Sequence, residues 1–175
     1  VTDDTPIETS RLHLVLVEPA ALEMILAHDV PSASAVQGFV FAEDFLQSIN
    51  DVFLTRHLEG RRKRESDPGW FVRAIIRKED GEVLGHCGFH GDPRDVGRAE
   101  IGYTVFSPFR RQGYAVEAVR GLVAWARSRG CAVVVAAVAP RNVASLGVVK
   151  KLGFEQTGVQ GHGTDHEEDV FELHL

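Results

Sequence analysis

The period of the hydrophobic positions changes along the chain, and each change marks an element. Arg11-Leu-His-Leu-Val-Leu-Val17 alternates, with Leu12, Leu14 and Leu16 on one face, which predicts a strand. Pro19 opens Ala20-Ala-Leu-Glu-Met-Ile-Leu-Ala27, a short helix with proline in its first turn. Residues 30–38 are small and turn-like, and Val1–Glu8 is polar and expected to be loose. Within Phe39–Leu58, Phe41, Phe45, Ile49 and Phe53 recur at four-residue intervals and predict one or two short helices. The basic run Arg61-Arg-Lys-Arg64 follows, and Asp67-Pro-Gly69 then breaks the pattern.

From Trp70 the period becomes that of strands. Trp70–Arg77 and Val83–His90 flank the turn residues Glu79-Asp-Gly-Glu82, which predicts an antiparallel hairpin. Gly91–Arg98 is a loop, and Ala99–Phe106 is the third strand of this meander. Gly113–Arg129 is a helix, with Val116, Val119, Val123 and Ala126 near helical spacing and Gly130 closing it. Cys131–Val138 is almost continuously apolar, the pattern of a strand buried on both faces. Asn142–Leu152 is a further helix ended by Gly153, and Phe154–Val159 and Asp169–Leu175 close the chain as a pair of strands. The order β-α-α-β-β-β-α-β-α-β-β predicts a mixed α/β fold around a central sheet. A chain of 175 residues suits one domain spanning 1–175.

Composition narrows the function. Hydrophobic residues at 44% and charged ones at 25% are normal globular usage, against disorder. Nineteen Lys and Arg against 25 Asp and Glu leave a net charge of −6, which argues against a general nucleic-acid binder. Cys87 and Cys131 cannot build a disulfide framework, and their spacing matches no zinc motif, so both are expected to be reduced thiols. No apolar run reaches the roughly 18 residues of a membrane span, and the acidic opening is no signal peptide. A cytoplasmic protein without membrane contact is the expectation, and the apolar content is compatible with a homodimer.

The stretch that carries chemistry is Val105-Phe-Ser-Pro-Phe-Arg-Arg-Gln-Gly-Tyr-Ala115. A strand runs into an arginine- and glycine-bearing turn, and a helix starts straight after it. That order aims free backbone N–H groups and the positive end of a helix dipole at one point. Gly113 and Ala115 let an anion approach the backbone closely, while Arg110 and Arg111 add charge suited to phosphate oxygens. The result is a pyrophosphate cradle, without the Gly-Lys-Ser/Thr ending of a Walker loop or the Gly-x-Gly-x-x-Gly of a dinucleotide fold.

Arg110-Arg-Gln-Gly113-Tyr-Ala115 resembles motif A, Arg/Gln-x-x-Gly-x-Gly/Ala, of the GNAT superfamily of acyl-CoA-dependent N-acyltransferases. Asn142-Val-Ala-Ser-Leu-Gly-Val-Val-Lys-Lys-Leu-Gly-Phe154 is similar to the same family's motif B, an Asn-initiated helix ending in Gly-Phe. Ile7-Glu-Thr-Ser-Arg-Leu12 and Ala99-Glu-Ile-Gly-Tyr103 resemble the Rim-type branch, which acetylates N-termini of ribosomal proteins. The resemblance covers roughly residues 7–175 with its parts in family order. It implies the GNAT fold: a mostly antiparallel central sheet, flanked by helices, whose splayed central strands form an acyl-CoA cleft.

The resemblance also implies roles. The backbone around Val105 and Ser107 would pair with the pantetheine arm of acetyl-CoA like an added strand, with an N–H near Val105 as oxyanion donor. The turn from Arg110 and Arg111 through Gln112, Gly113 and Tyr114 to Ala115 would hold the pyrophosphate. Asn142 would bond the pantetheine, and Lys151 the nucleotide end. The reaction would be direct attack of an amine on acetyl-CoA in a ternary complex, with Glu100 as candidate base through water and Ser145 as candidate acid. Many GNAT enzymes carry a tyrosine acid where this chain has Val149, so that acid is absent here.

A protein N-terminus is the first-choice acceptor. A lysine amine costs about 4.6 kcal/mol to deprotonate at pH 7 and an α-amine only about 1 kcal/mol, which suits a site with no obvious strong base. The alternatives are a small-molecule amine (polyamine, aminoglycoside or amino acid), or a non-catalytic acyl-CoA-binding regulatory domain.

Plainer roles exist for most of these residues. Asn142 is an ordinary N-cap, Ser145 suits a helix surface, Glu100 could face solvent or pair with Arg98, and Tyr103 reads first as a core residue, with a polar tip at a cleft as the alternative. His86, Cys87 and His90 lie on a strand whose neighbours point to opposite faces, and His162 and His166 lie in a glycine-rich loop, so no metal site is expected. The acidic run Asp165-His-Glu-Glu-Asp169 is a solvated surface or a dock for a cationic amine.

Overall fold

The computed structural model describes residues 5–49, 54–55, 58–59, 68–90, 97–161, 163 and 166–175. Eight strands form one sheet: β1 (Ile7–Glu8), β2 (Leu12–Leu16), β3 (Arg73–Arg77), β4 (Val83–Phe89), β5 (Arg98–Val105), β6 (Val133–Val138), β7 (Glu155–Gln160) and β8 (Glu168–His174). Their spatial order is β1-β2-β3-β4-β5-β6-β8-β7. Every pairing is antiparallel except that of β5 with β6. Helices α1 (Pro19–Leu26), α2 (Val30–Gln37) and α3 (Glu43–Ser48) lie between β2 and β3. Helix α4 (Tyr114–Ser128) joins β5 to β6, and α5 (Val143–Lys151) joins β6 to β7. This is the mixed, mostly antiparallel fold of the sequence reading.

The period-2 pattern sorts the sheet into two buried layers. Leu12, Leu14, Ile75, Phe89, Ala99 and Ile101 pack with Ala118, Leu122 and Ala126 of α4. On the opposite face Ala21, Leu22 and Ile25 of α1 pack with Phe41, Phe45, Val72 and Phe106. Cys131–Val138 is apolar throughout because β6 is covered on both sides, as its composition predicted.

Two stretches differ from expectation. Residues 30–38 form helix α2 rather than a turn. Its hydrophobic pattern is weak, with Ala33 its buried residue, and its ends supply the stability. The Asp29 carboxylate accepts the Ser32 N–H at 3.2 Å, Pro31 sits in the first turn, and Gly38 closes the helix at φ 81°. Ile7 and Glu8 are a strand rather than loose chain, because Ile7 finds a buried place opposite Leu14. Arg61–Arg64, His162 and Asp165 lie outside the described residues. No helix among the described residues is long and apolar enough to cross a membrane.

The sheet parts between β5 and β6. Strand β5 has eight residues, yet only Arg98, Ala99 and Glu100 pair with β6, opposite Val133, Val134 and Val135. Beyond Glu100, β5 stays with β4 and β6 stays with β8, so the two halves of the sheet part.

Candidate active site in the split sheet

Backbone polarity at the split follows from the register. The Glu100 carbonyl accepts from the His90 N–H, and the Phe106 N–H donates to the Leu84 carbonyl, so even-numbered residues of β5 direct their backbone groups at β4. Ile101, Tyr103 and Val105 therefore turn N–H and C=O toward the side where β6 has drawn away. These groups suit pairing with an extended ligand as if it were a strand. The Val105 carbonyl accepts a hydrogen bond from the Arg110 side-chain Nε at 2.9 Å.

Two cavities open at the split and share Tyr103, Thr104, Asn142 and Ser145. The larger, about 710 Å³, runs along the starts of α4 and α5 and is lined by Val105, Arg110, Arg111, Gly113, Tyr114 and Ala115 among others. Gly113 caps α4 with φ 83°, and Arg111 is also left-handed at φ 62°. That geometry makes glycine the residue for position 113, and a Cβ there would meet nothing nearer than the Arg11 guanidinium at 3.5 Å. The first N–H groups of α4 have no acceptor within the helix. Open space, free amides and two arginines fit the pyrophosphate of a coenzyme A thioester.

Most residues expected to hold the cosubstrate surround this cavity, but three do not. Ser107, Gln112 and Lys151 line neither cavity. The Gln112 carbonyl accepts from Arg11, and Lys151 stands exposed on the last turn of α5, the end away from Asn142. Asn142 caps α5 by accepting the Ser145 N–H at 3.1 Å, so its side-chain oxygen is engaged, and the residue lines both cavities.

A bracing contact lies beneath the cradle. Arg11 donates its backbone N–H and its Nε to the two oxygens of Glu117, each at 2.7 Å, and its guanidinium also stacks 4.5 Å from the Tyr114 ring centre. The Thr9 hydroxyl donates to Glu117 at 2.7 Å. Burial works against the Glu117 charge, but the Arg11 N–H, the Thr9 hydroxyl and the Arg11 guanidinium outweigh it and hold the carboxyl below the usual range. The turn between β1 and β2 is thereby fastened to the first turn of α4. Thr9 and Arg11 fall inside Ile7–Leu12, yet nothing local to that stretch announces a partner more than a hundred residues away.

The smaller cavity, about 300 Å³, lies on the other side of the split. Register pairs Thr104 with His86 and Gly102 with Gly88, so His86, His90, Glu100 and Thr104 share one face of the sheet. Glu168, from the acidic run of the sequence, reaches the same cavity from β8. Arg98 bonds Glu172 at 2.6 Å, and Glu100 instead meets the His90 Nδ1 at 3.1 Å. His86 is buried, with its Nε2 3.0 Å from the Ser48 hydroxyl and its ring against Phe45. Burial pushes the Cys87 thiol up to about 12, which leaves it protonated and unreactive. Among the described residues no group of three His, Cys, Asp or Glu could hold a metal ion.

At the junction the Tyr103 hydroxyl donates to the Ser145 carbonyl at 3.4 Å. Burial raises its pKa, against the opposing effect of that bond, so the phenol keeps its proton. Tyr103 is thus no ordinary core residue, and Ser145 lies beside it lining both cavities.

Comparison with known proteins places this arrangement. Residues 11–155 match the acetyltransferase (GNAT) domain, and the chain belongs to that family. It is 37% identical over 93 residues to the N-acetyltransferase YjdG of Bacillus subtilis, itself uncharacterised, covering 53% of this chain and 55% of that one. It is 37% identical over 82 residues to an L-methionine sulfoximine/L-methionine sulfone acetyltransferase of Pseudomonas aeruginosa, covering 45% and 47%. The chain therefore spans about half the length of these curated relatives. The ribosomal-protein-S5-alanine acetyltransferase of Vibrio fischeri superposes with a TM-score of 0.66 over 98% of this chain and 97% of its own, at 16% identity, a likeness of fold.

Proposed function

We propose that the chain is a single-domain N-acetyltransferase of the Rim-type branch that moves the acetyl group of acetyl-CoA to the α-amine of a peptide or protein. The observation that carries this reading is the split itself. It joins a cavity fitted to a pyrophosphate thioester on one side of the sheet to a cavity holding two carboxylates on the other. In this reading the α4 amides, Arg110 and Arg111 hold the pyrophosphate, the exposed backbone of Tyr103 and Val105 pairs with the pantetheine, and the Asn142 amide steadies it. Acetyl-CoA supplies an activated acyl carbon. The Glu100 side of the smaller cavity takes up the amine proton, while Tyr103 or Ser145, or solvent, protonates the leaving sulfur.

Charge separates the possible acceptors. Glu100 and Glu168 line the smaller cavity, and no Lys or Arg does so among the described residues. An ammonium is attracted there, whereas a free amino acid also brings a carboxylate that Glu100 and Glu168 would repel. A peptide N-terminus carries the amine without that carboxylate. The relative that acetylates methionine sulfoximine and the modest cavity volume support a second reading, in which the acceptor is a small amino-acid derivative.

The test is acetyl-CoA-dependent thiol release with four acceptor sets: C-terminally amidated tripeptides, free amino acids including methionine sulfone, Nα-blocked lysine peptides and polyamines. The amidated tripeptides should lead in kcat/KM by about tenfold or more, one unit of 1.4 kcal/mol. Free amino acids in first place would establish the second reading. Equal turnover of lysine side chains and N-termini would sink the preference for an α-amine.

A further inference from the structure

We infer that the proton acceptor facing the acceptor amine is the His90 imidazole, and that Glu100 is the positioning residue that holds it. This rests on the acetyltransferase reading above and names the atom that does its proton chemistry.

The argument is geometric. The His90 Nδ1 lies 3.1 Å from the Glu100 carboxylate, which leaves the opposite edge of the ring for the cavity. That edge is located by Gly102: a Cβ built on it would sit 2.8 Å from the His90 Nε2. Nε2 therefore lies over Gly102, two residues beyond Glu100 along β5 in the direction of Val105 and the junction between the cavities. Gly102 provides the room for the ring, since any larger residue would push it away. Glu100 sits behind the imidazole and Nε2 lies in front of it. A carboxylate behind one ring nitrogen fixes the tautomer, leaves the other nitrogen as acceptor and stabilises the imidazolium that forms.

The neighbours leave His90 as the group suited to the task. The other titratable groups lining this cavity among the described residues are His86 and Cys87 on β4, Glu100 and Tyr103 on β5 and Glu168 on β8. His86 is buried and engaged by Ser48. Cys87 and Tyr103 are held protonated by burial. Glu168 stands across the split, where its charge suits attraction of the incoming ammonium. His90 and Glu100 are each about one-third exposed, 35% and 38%, so an amine can reach the pair. A carboxylate is a poor match for the proton of an α-amine, whereas an imidazole is the side chain suited to proton transfer with an amine near neutral pH.

The proton and bond accounting closes. The acceptor ammonium gives one proton to Nε2 and becomes a free amine. The amine nitrogen forms its bond to the thioester carbon as the carbon–sulfur bond breaks. The second amine proton passes to solvent as the amide forms, the departing thiolate takes one proton from Tyr103, Ser145 or solvent, and a side chain that has donated is reprotonated from solvent. His90 returns its proton to solvent.

The experiment compares wild type, His90→Asn and Glu100→Gln with an amidated tripeptide acceptor, recording kcat/KM against pH, acetyl-CoA affinity by calorimetry and imidazole titration by NMR. Asparagine keeps a donor toward Glu100 and removes Nε2. We expect the wild-type acid limb in the imidazole range, and a loss of about 100-fold with disappearance of that limb in His90→Asn, within the usual span of general-base effects. Glu100→Gln should lose only about tenfold, keep an imidazole limb moved to lower pH, and shift the His90 titration downward in the NMR spectra. Acetyl-CoA affinity should be unchanged in both, which also shows that they fold. If His90→Asn stays within threefold of wild type while Glu100→Gln abolishes the limb, the carboxylate is the base and the inference is overturned. A His90 titration indifferent to Glu100 overturns it equally. A wild type that binds acetyl-CoA but acetylates no amine overturns the underlying reading, and this inference with it.

Discussion

The two cavities that meet at Tyr103 are built in opposite ways. The larger takes most of its lining from one stretch, residues 103–116, and relies on backbone amides, two left-handed residues and the start of a helix. The smaller gathers side chains from β4, β5, β6, β8 and the start of α5, and relies on imidazole and carboxylate groups. A site made of backbone is changed by shape, because the amides themselves cannot be mutated. A site made of side chains is changed by charge and protonation, with its shape preserved. The cavities should therefore fail differently, one in affinity for acetyl-CoA and the other in acceptor use.

The largest separation is expected from Gly113→Asp. The substitution forces an L side chain to φ 83° and adds a negative charge where the proposed cradle would hold the pyrophosphate. Acetyl-CoA binding should weaken by roughly 100-fold or more, since strain and like charge act together. Calorimetry checks it beside a thermal melt, and binding within threefold of wild type would move the pyrophosphate site elsewhere. The mirror experiment is Glu168→Gln. Removal of one of two carboxylates should raise KM for an amidated peptide by about fivefold, a typical weight for a partly exposed charge, and leave acetyl-CoA affinity within twofold. A matching loss in both readouts would mean that the two cavities do not divide the work.

Tyr103→Phe probes the boundary and should have a smaller effect. Loss of the hydroxyl removes a 3.4 Å bond to the Ser145 carbonyl and a protonated phenol at the junction. Both affinities should hold while kcat falls about threefold or less, because water can protonate a thiolate without help. An unchanged kcat would assign the proton to Ser145 or solvent alone.

The same division explains what could be read from the chain. The cradle is contiguous, and its chemistry resides in residue types that announce themselves locally: glycine for φ, arginine for anions, a helix start for free amides. The strands from β2 onward and α4 are legible for the same reason, since period and caps are local, whereas β1 depends on Ile7 meeting Leu14 of β2. Helix α2 was missed because Asp29, Pro31 and Gly38 specify it at its ends while its middle carries almost no hydrophobic signal. The smaller cavity was legible in part. Glu100 stood out on its strand, but its partner His90 lies ten residues back, and only the register of β4 on β5 puts them on one face. Arg98 looked a plausible partner from spacing, until β8 brought Glu172 within 2.6 Å. Ser107, Gln112 and Lys151 hold motif positions without lining either cavity.

The smallest predicted effect concerns what holds the larger cavity in place. Glu117 fastens the turn between β1 and β2 to the cradle helix, and its folded pKa is depressed. The unfolded carboxyl titrates near 4.3, so the folded state binds fewer protons between the depressed value and that one. The resulting stability is present above about pH 4.3 and is lost as pH falls through the folded value. Glu117→Gln keeps the shape and removes the charge. Its deficit should be about 1 kcal/mol at pH 7, the order of one charge-assisted bond less its neutral replacement, or 2–4 °C in Tm for a chain of this size. Below pH 4 the wild type should descend toward the variant. Glu8, Asp80 and Glu172 are also depressed, by Lys78, Arg77 and Arg98 respectively, but they are common to both proteins and cancel in the difference. Thermal melts from pH 7 to 3 measure it, and a gap that stays constant or widens toward acid would show that the Glu117 charge does not stabilise the fold. Because the brace touches Gln112 and Tyr114 and nothing in the smaller cavity, the variant's acetyl-CoA affinity should fall a few-fold while its KM for peptide stays put. A change in KM alone would mean that the two sides of the split are mechanically one.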